Sequence, residues 1–147
     1  MSIPNLEADI AALMASGERV SLADQGIGVE GAKQVADLLK DNATVTELDL
    51  KLNDIGDAGA TCIFRALKAN SSVVMLRLPN NNITSTCLPG IEDMFAENMT
   101  LQTLTLTGNA IEDDLEAMDN IETFLVRNLG ILAADEDDDT YDPLPSG

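Results

Sequence analysis

TELDLKLNDIG, residues 46–56, is the stretch on which the fold turns. It opens as a strand would, with Leu48 and Leu50 alternating against polar neighbours, a period of two that turns one side inward. It then places Asn53 where the chain must turn, and Ile55 just beyond. The same four positions return 28 residues later as Leu76, Leu78, Asn81 and Ile83, and again as Leu104, Leu106, Asn109 and Ile111. One step earlier they are Val20, Leu22, Gln25 and Ile27. Four columns at one spacing mark a repeat array, in which each unit buries its apolar side against the next.

The columns have physical reasons. The leucines and the isoleucine are core. The Asn amide both donates and accepts, so it can pair backbone groups of neighbouring turns that would otherwise be buried unsatisfied. The second half of each unit has helical spacing: Ala32, Val35 and Leu39; Ala60, Ile63, Phe64 and Leu67; Leu88, Ile91 and Phe95, with Pro89 and Gly90 making the third helix start irregularly. Asp57, Ser85 and Asp113 recur as N-caps, and Val29 interrupts that column, so the first helix should start differently. Asn42, Asn70 and Asn98 follow the helices at the same step and read as left-handed helix ends. They and Asn82 also match the N-glycosylation pattern, which the lack of a secretion signal makes the weaker reading.

VTELDLKLNDI, VVMLRLPNNNI and LQTLTLTGNAI resemble the leucine-rich repeat, L-x-x-L-x-L-x-x-N-x-L. The period and the helical second halves resemble its ribonuclease-inhibitor type. The resemblance covers residues 17–111. It implies an α/β fold: a short solenoid of about four β-loop-α repeats, with a parallel sheet on the concave face and helical caps. The chain divides into an N-terminal helical cap (1–16, with Leu6, Ile10, Leu13 and Met14 on one face), the repeats (17–112), a C-terminal capping helix (113–134) and a disordered acidic tail (135–147). The capping helix carries Leu115, Met118, Ile121, Leu125, Leu129 and Leu132 at helical steps.

Composition narrows the function. Of 147 residues 45% are hydrophobic but only 3% aromatic, so the core is aliphatic. The net charge is −18 and the pI near 4.1. Such a surface repels phosphate backbones and anionic headgroups, which excludes nucleic acid and membrane surfaces and favours a basic protein partner. The tail supplies six of the acids and offers a docking strip or a solubilising segment. Its D-x-D-x-D start is not an EF-hand: Thr140 stands where Gly is needed and Ser146 where Glu is needed. The N-terminus has no signal-peptide pattern, no run is long enough to span a bilayer, and two cysteines are too few for a disulfide framework. These features place the chain in the cytoplasm.

Chemistry is sparse. There is no His, the commonest base and metal ligand, and no phosphate-binding, dinucleotide-binding or nucleophile motif. No catalytic residue, cofactor or metal is assigned. The concave face remains, where residues flanking the core leucines point outward: Arg19, Glu47, Asp49, Lys51, Leu52, Met75, Arg77, Asn80, Thr103 and Thr105. Leu52 and Met75, apolar without need, beside Arg77, resemble a binding hot spot. The function read from this is non-catalytic protein–protein interaction through the concave face. The resemblance implies two alternatives: a GTPase activator similar to the Ran GTPase activators, or an actin-binding cap similar to tropomodulin, whose short repeat array LKDNATVTELDL and LKANSSVVMLRL resemble. Open sheet edges leave a dimer available.

Overall fold

A computed structural model describes residues 6–137. Its elements are α1 (Leu6–Met14), β1 (Arg19–Ser21), α2 (Gly28–Leu39), β2 (Glu47–Asp49), α3 (Gly56–Leu67), β3 (Met75–Arg77), α4 (Leu88–Phe95), β4 (Thr103–Thr105) and α5 (Leu115–Asp137). A 3₁₀ turn, Ser85–Cys87, leads into α4, and another, Ala110–Asp113, precedes α5. The strands pair in chain order, all parallel. Val20, Leu48, Leu76 and Leu104 face one another across the sheet, so the 28-residue step is the register itself. This is the α/β leucine-rich-repeat solenoid that the columns imply, with helices on the convex side.

One core runs through all the units. Leu22, Leu50, Leu78, Ile55, Ile83 and Ile111 are buried, as are Leu39, Ile63, Phe64, Leu67 and Phe95 from the helices. Asn53, Asn81 and Asn109 form the ladder their chemistry calls for. Asn53 Oδ1 accepts from the Gln25 and Ile27 N–H groups at 2.9 and 3.3 Å, and its Nδ2 donates to Leu22 and Leu50 carbonyls at 2.8 and 3.0 Å. Asn81 and Asn109 repeat the pattern one and two units on.

Asn42, Asn70 and Asn98 differ from their reading as left-handed helix ends, since none has positive φ. They build a second ladder at the helix side. Asn70 Nδ2 donates to Leu39 and Asn42 carbonyls, both at 3.0 Å, and its Oδ1 accepts from the Ser72 and Val73 N–H groups. Asn98 does the same one unit on. Buried Asn128, on α5, adds the last rung, donating to Asn98 and Leu101 carbonyls. Buried carbonyls without a partner are costly, and this second ladder satisfies those at each helix exit.

The N-caps also move. α2 and α3 both begin at a positive-φ glycine, Gly28 and Gly56, and neither has a side-chain cap; Val29 therefore changes nothing. Thr84, not Ser85, caps the 3₁₀ turn, and Asp114, not Asp113, caps α5 by accepting from Ala117 N–H at 3.0 Å. Asp57 is spent elsewhere: it accepts from the Thr84 N–H and hydroxyl at 2.7 and 2.6 Å and from Cys87 Sγ at 3.1 Å. Burial works to raise its pKa, but the Thr84 bonds, with Cys87, hold it below the ordinary 3.8. A depressed carboxylate stabilises the fold above its unfolded pKa, and that contribution is lost as pH falls through the folded value. Asp57→Asn should therefore flatten the acid limb of stability below pH 3.8, as melts at descending pH would read.

At the N-terminal end Ile10 and Met14 are buried, whereas Leu13 is exposed; residues 1–5 lie outside the described residues. At the other end α5 buries Ala117, Ile121 and Asn128, with Met118, Phe124 and Leu125 packed against the core. Leu115 and Leu129 of the expected apolar face are exposed, because the helix meets the solenoid about one position round from the leucine stripe. α5 continues three residues past 134, and the rest of the acidic tail, 138–147, lies outside the described residues.

Candidate functional site

Parallel pairing stacks the outward residues of the sheet into rows. Arg19, Glu47, Met75 and Thr103 form the first, and Ser21, Asp49, Arg77 and Thr105 the second, with neighbours about 4.8 Å apart. Arg19 Nε lies 3.5 Å from Glu47. Arg19, Ser21, Glu47, Asp49 and Arg77 together line a shallow depression of ≈ 250 Å³. Two guanidinium groups beside two carboxylates make this face polar and mixed in charge. Asp49 also accepts from Lys51 N–H at 3.1 Å and so tightens the turn after its strand.

A second feature lies where the chain leaves the strands. Asp24, Leu52, Asn80 and Gly108 all have φ between 55 and 78°. Gly, Asn and Asp adopt this left-handed region readily; leucine does so at a cost of about 1 kcal/mol. Leu52 is nonetheless there, and 47% exposed. Packing does not account for this strain, since the side chain is half in solvent. Leu52→Asn should raise stability by about 1 kcal/mol; a thermal melt checks it. At the same turn Asn80 leans on Gly108, where a Cβ would come within 2.0 Å of Asn80 Oδ1.

The residues singled out from the sequence thus fall into two groups. Arg19, Glu47, Asp49 and Arg77 come together in the depression, with Ser21, and Thr103 and Thr105 continue the two rows. Lys51, Leu52 and Asn80 belong to the turn ridge, and Lys51 is exposed. Met75 is half-buried at the start of β3, in the row of Glu47. It stands five residues along from the position of Leu52, about 15 Å, so Leu52 and Met75 do not meet. Alternation gives the side on which a residue lies, not its distance along the strand.

Burial, then the Asp57 carboxylate, pushes the Cys87 thiol up to about 12, far from a thiolate nucleophile. Among the described residues no cluster of His, Cys, Asp and Glu is arranged to hold a metal ion, and no helix is long and apolar enough to cross a membrane.

Comparison with known proteins gives four findings. A family model described as "Leucine Rich repeat" matches residues 41–64 and 97–114. Among solved structures, the chain is similar to one titled "Leiomodin-1 Actin-Binding Site 2 (ABS2)", with 27% identity, a TM-score of 0.79, and 94% of this chain and 81% of that one covered. It is also similar, in fold alone, to the C-terminal domain of Caenorhabditis elegans tropomodulin, with 12% identity, a TM-score of 0.57, and 90% and 98% covered. No curated protein sequence matches the chain.

Proposed function

Since the chain is a leucine-rich-repeat protein, we propose that it is a non-catalytic binding module that holds a partner protein on its concave face, with actin as that partner. The observation that carries the face is Leu52, exposed and left-handed at the rim of the sheet. The contacts assigned are Arg19, Glu47, Asp49 and Arg77 in the depression, and Lys51, Leu52, Met75, Asn80, Thr103 and Thr105 around it. Actin is favoured by the likeness to the leiomodin-1 actin-binding site across nearly the whole chain. That likeness ranks the actin alternative above GTPase activation. The 28-residue step with helical second halves supports the ribonuclease-inhibitor subtype, and two free thiols support a reducing, cytoplasmic setting.

The test is binding to monomeric and filamentous actin, by pyrene-actin polymerisation and cosedimentation, with the wild type beside the Leu52→Asp, Met75→Asp, Arg77→Glu variant. The variant should fold, since none of the three is buried, and should lose about 100-fold in affinity if each residue contributes about 1 kcal/mol. Equal binding by the variant would move the contact off the concave face. Absence of binding by the wild type would remove actin and leave the face to another protein.

A further inference from the structure

The sheet ends on a strand whose outer edge is open. In the first three units the core leucine after each strand donates its N–H onward: Leu22 to Asp49, Leu50 to Arg77 and Leu78 to Thr105 carbonyls, each at 2.9 Å. In the other direction the Glu18, Thr46 and Val74 carbonyls each accept two N–H groups from the following unit. At β4 the series stops. Among the described residues Leu106 N–H finds no acceptor and the Gln102 carbonyl no donor. Gly108 N–H is taken by the Glu112 carboxylate at 3.0 Å. α5 packs on α4 and the Ala110–Asp113 turn, on the helical side of this end.

Exposed edges are usually defended by Lys, Pro or a bulge. β4 and its exit carry Thr103, Thr105 and Thr107, β-branched and uncharged, whereas β1 at the other edge carries Arg19. Acids prevail around it: residues 78–126 hold nine acids and no Lys or Arg, Arg77 lies one strand inward, paired with Thr105, and Arg127 is engaged with the Asn98 carbonyl and Phe124. Glu112, Asp113 and Glu116 are exposed where β4 leads out. A second copy cannot supply the missing strand through its β1. Paired strands lie about 4.8 Å apart, while α5 of one copy and α1 of the other would each need about 10 Å between the helical layers. A lone extended segment brings no helix with it.

We propose that the β4 edge is a docking site for an extended peptide segment of a partner protein that bears Lys or Arg, added as a fifth strand. The peptide's carbonyl accepts from Leu106 N–H, its N–H donates to the Gln102 carbonyl, and its basic side chains meet Glu112, Asp113 and Glu116. This surface is distinct from the concave face and stands or falls apart from actin binding.

The test uses the full chain and a blocked peptide of about eight residues, Thr and Val alternating between terminal lysines, read by amide hydrogen exchange and NMR titration. Leu106 should exchange fast in the free chain and about tenfold more slowly at saturating peptide. Methylating the central peptide nitrogens should abolish that protection, and glutamates in place of the lysines should weaken binding about tenfold. A Leu106 amide already protected in the free chain overturns the proposal, because the chain then fills its own edge. So does a saturated complex without protection at Leu106, no binding at millimolar peptide, or undiminished binding by the methylated or the glutamate peptide.

Discussion

Asn81→Ala should lower the unfolding free energy by about 3 kcal/mol, since each buried group left without its partner costs about 1–3 kcal/mol and relaxation recovers part of the sum. The side chain holds four backbone groups. Its Oδ1 accepts from Asn53 and Ile55 N–H groups at 2.8 and 3.3 Å, and its Nδ2 donates to Leu50 and Pro79 carbonyls at 2.9 and 3.2 Å. Alanine reaches none of them, and fully buried Asn81 leaves no room for bulk water to substitute. Asn81→Asp tests the donor half: the carboxylate keeps both acceptor bonds, loses Nδ2 and adds a buried charge, so it should also destabilise. Chemical denaturation with an unchanged slope would measure both, and a wild-type midpoint for the alanine variant would remove the ladder from the account of stability.

Removing α5, by ending the chain before Leu115, should cost more and abolish a cooperative melt. The helix places Ile121 and Ala117 on the open end of the core. Its Phe124 stacks on Phe95, centroids 5.0 Å apart and planes 7° from parallel, with the Arg127 guanidinium 5.5 Å from the Phe124 centroid. Arg127 and Asn128 both donate to the Asn98 carbonyl, and Asn128 also to that of Leu101. Deletion would bare Phe95 and orphan these carbonyls together. Leu115→Ala is the control: that side chain is 80% exposed, and such a surface change should stay within about 0.5 kcal/mol. Calorimetry separates the two, and a sharp transition in the truncated chain would show that the repeats hold without the helix.

The strand columns were legible because every unit meets the same steric demand: two inward leucines, an amide at the turn, an isoleucine beyond. The helix-side ladder was missed for a chemical reason. An Asn after a helix fits a left-handed end as well as a hydrogen-bonding post, and nothing local tells the two apart. Asn128 was out of reach because the spacing there is 30 residues from Asn98 rather than 28. The capping role of Asp57 failed on similar grounds, since its partner Thr84 belongs to the next unit. On the concave face, alternation identified which side chains point outward. It gave no signal that Arg19, Glu47, Asp49 and Arg77 would share one depression while Leu52 stood at the far rim. The left-handed turn was in fact written in the column Asp24, Leu52, Asn80, Gly108, three of whose members favour that conformation.

The two asparagine ladders bear on how such a chain can grow. Each rung ties a unit to the one before it, and within the repeats both ladders run on the same step of 28 residues. A tandem copy of any window of that length would therefore enter the array already supplied with the acceptors its predecessor needs and the donors its successor will meet. Length becomes heritable in whole turns of the solenoid. A single residue gained inside a strand has no such neutrality, because it would shift the rungs that follow out of phase, and variation of that kind is confined to loops where no rung is made.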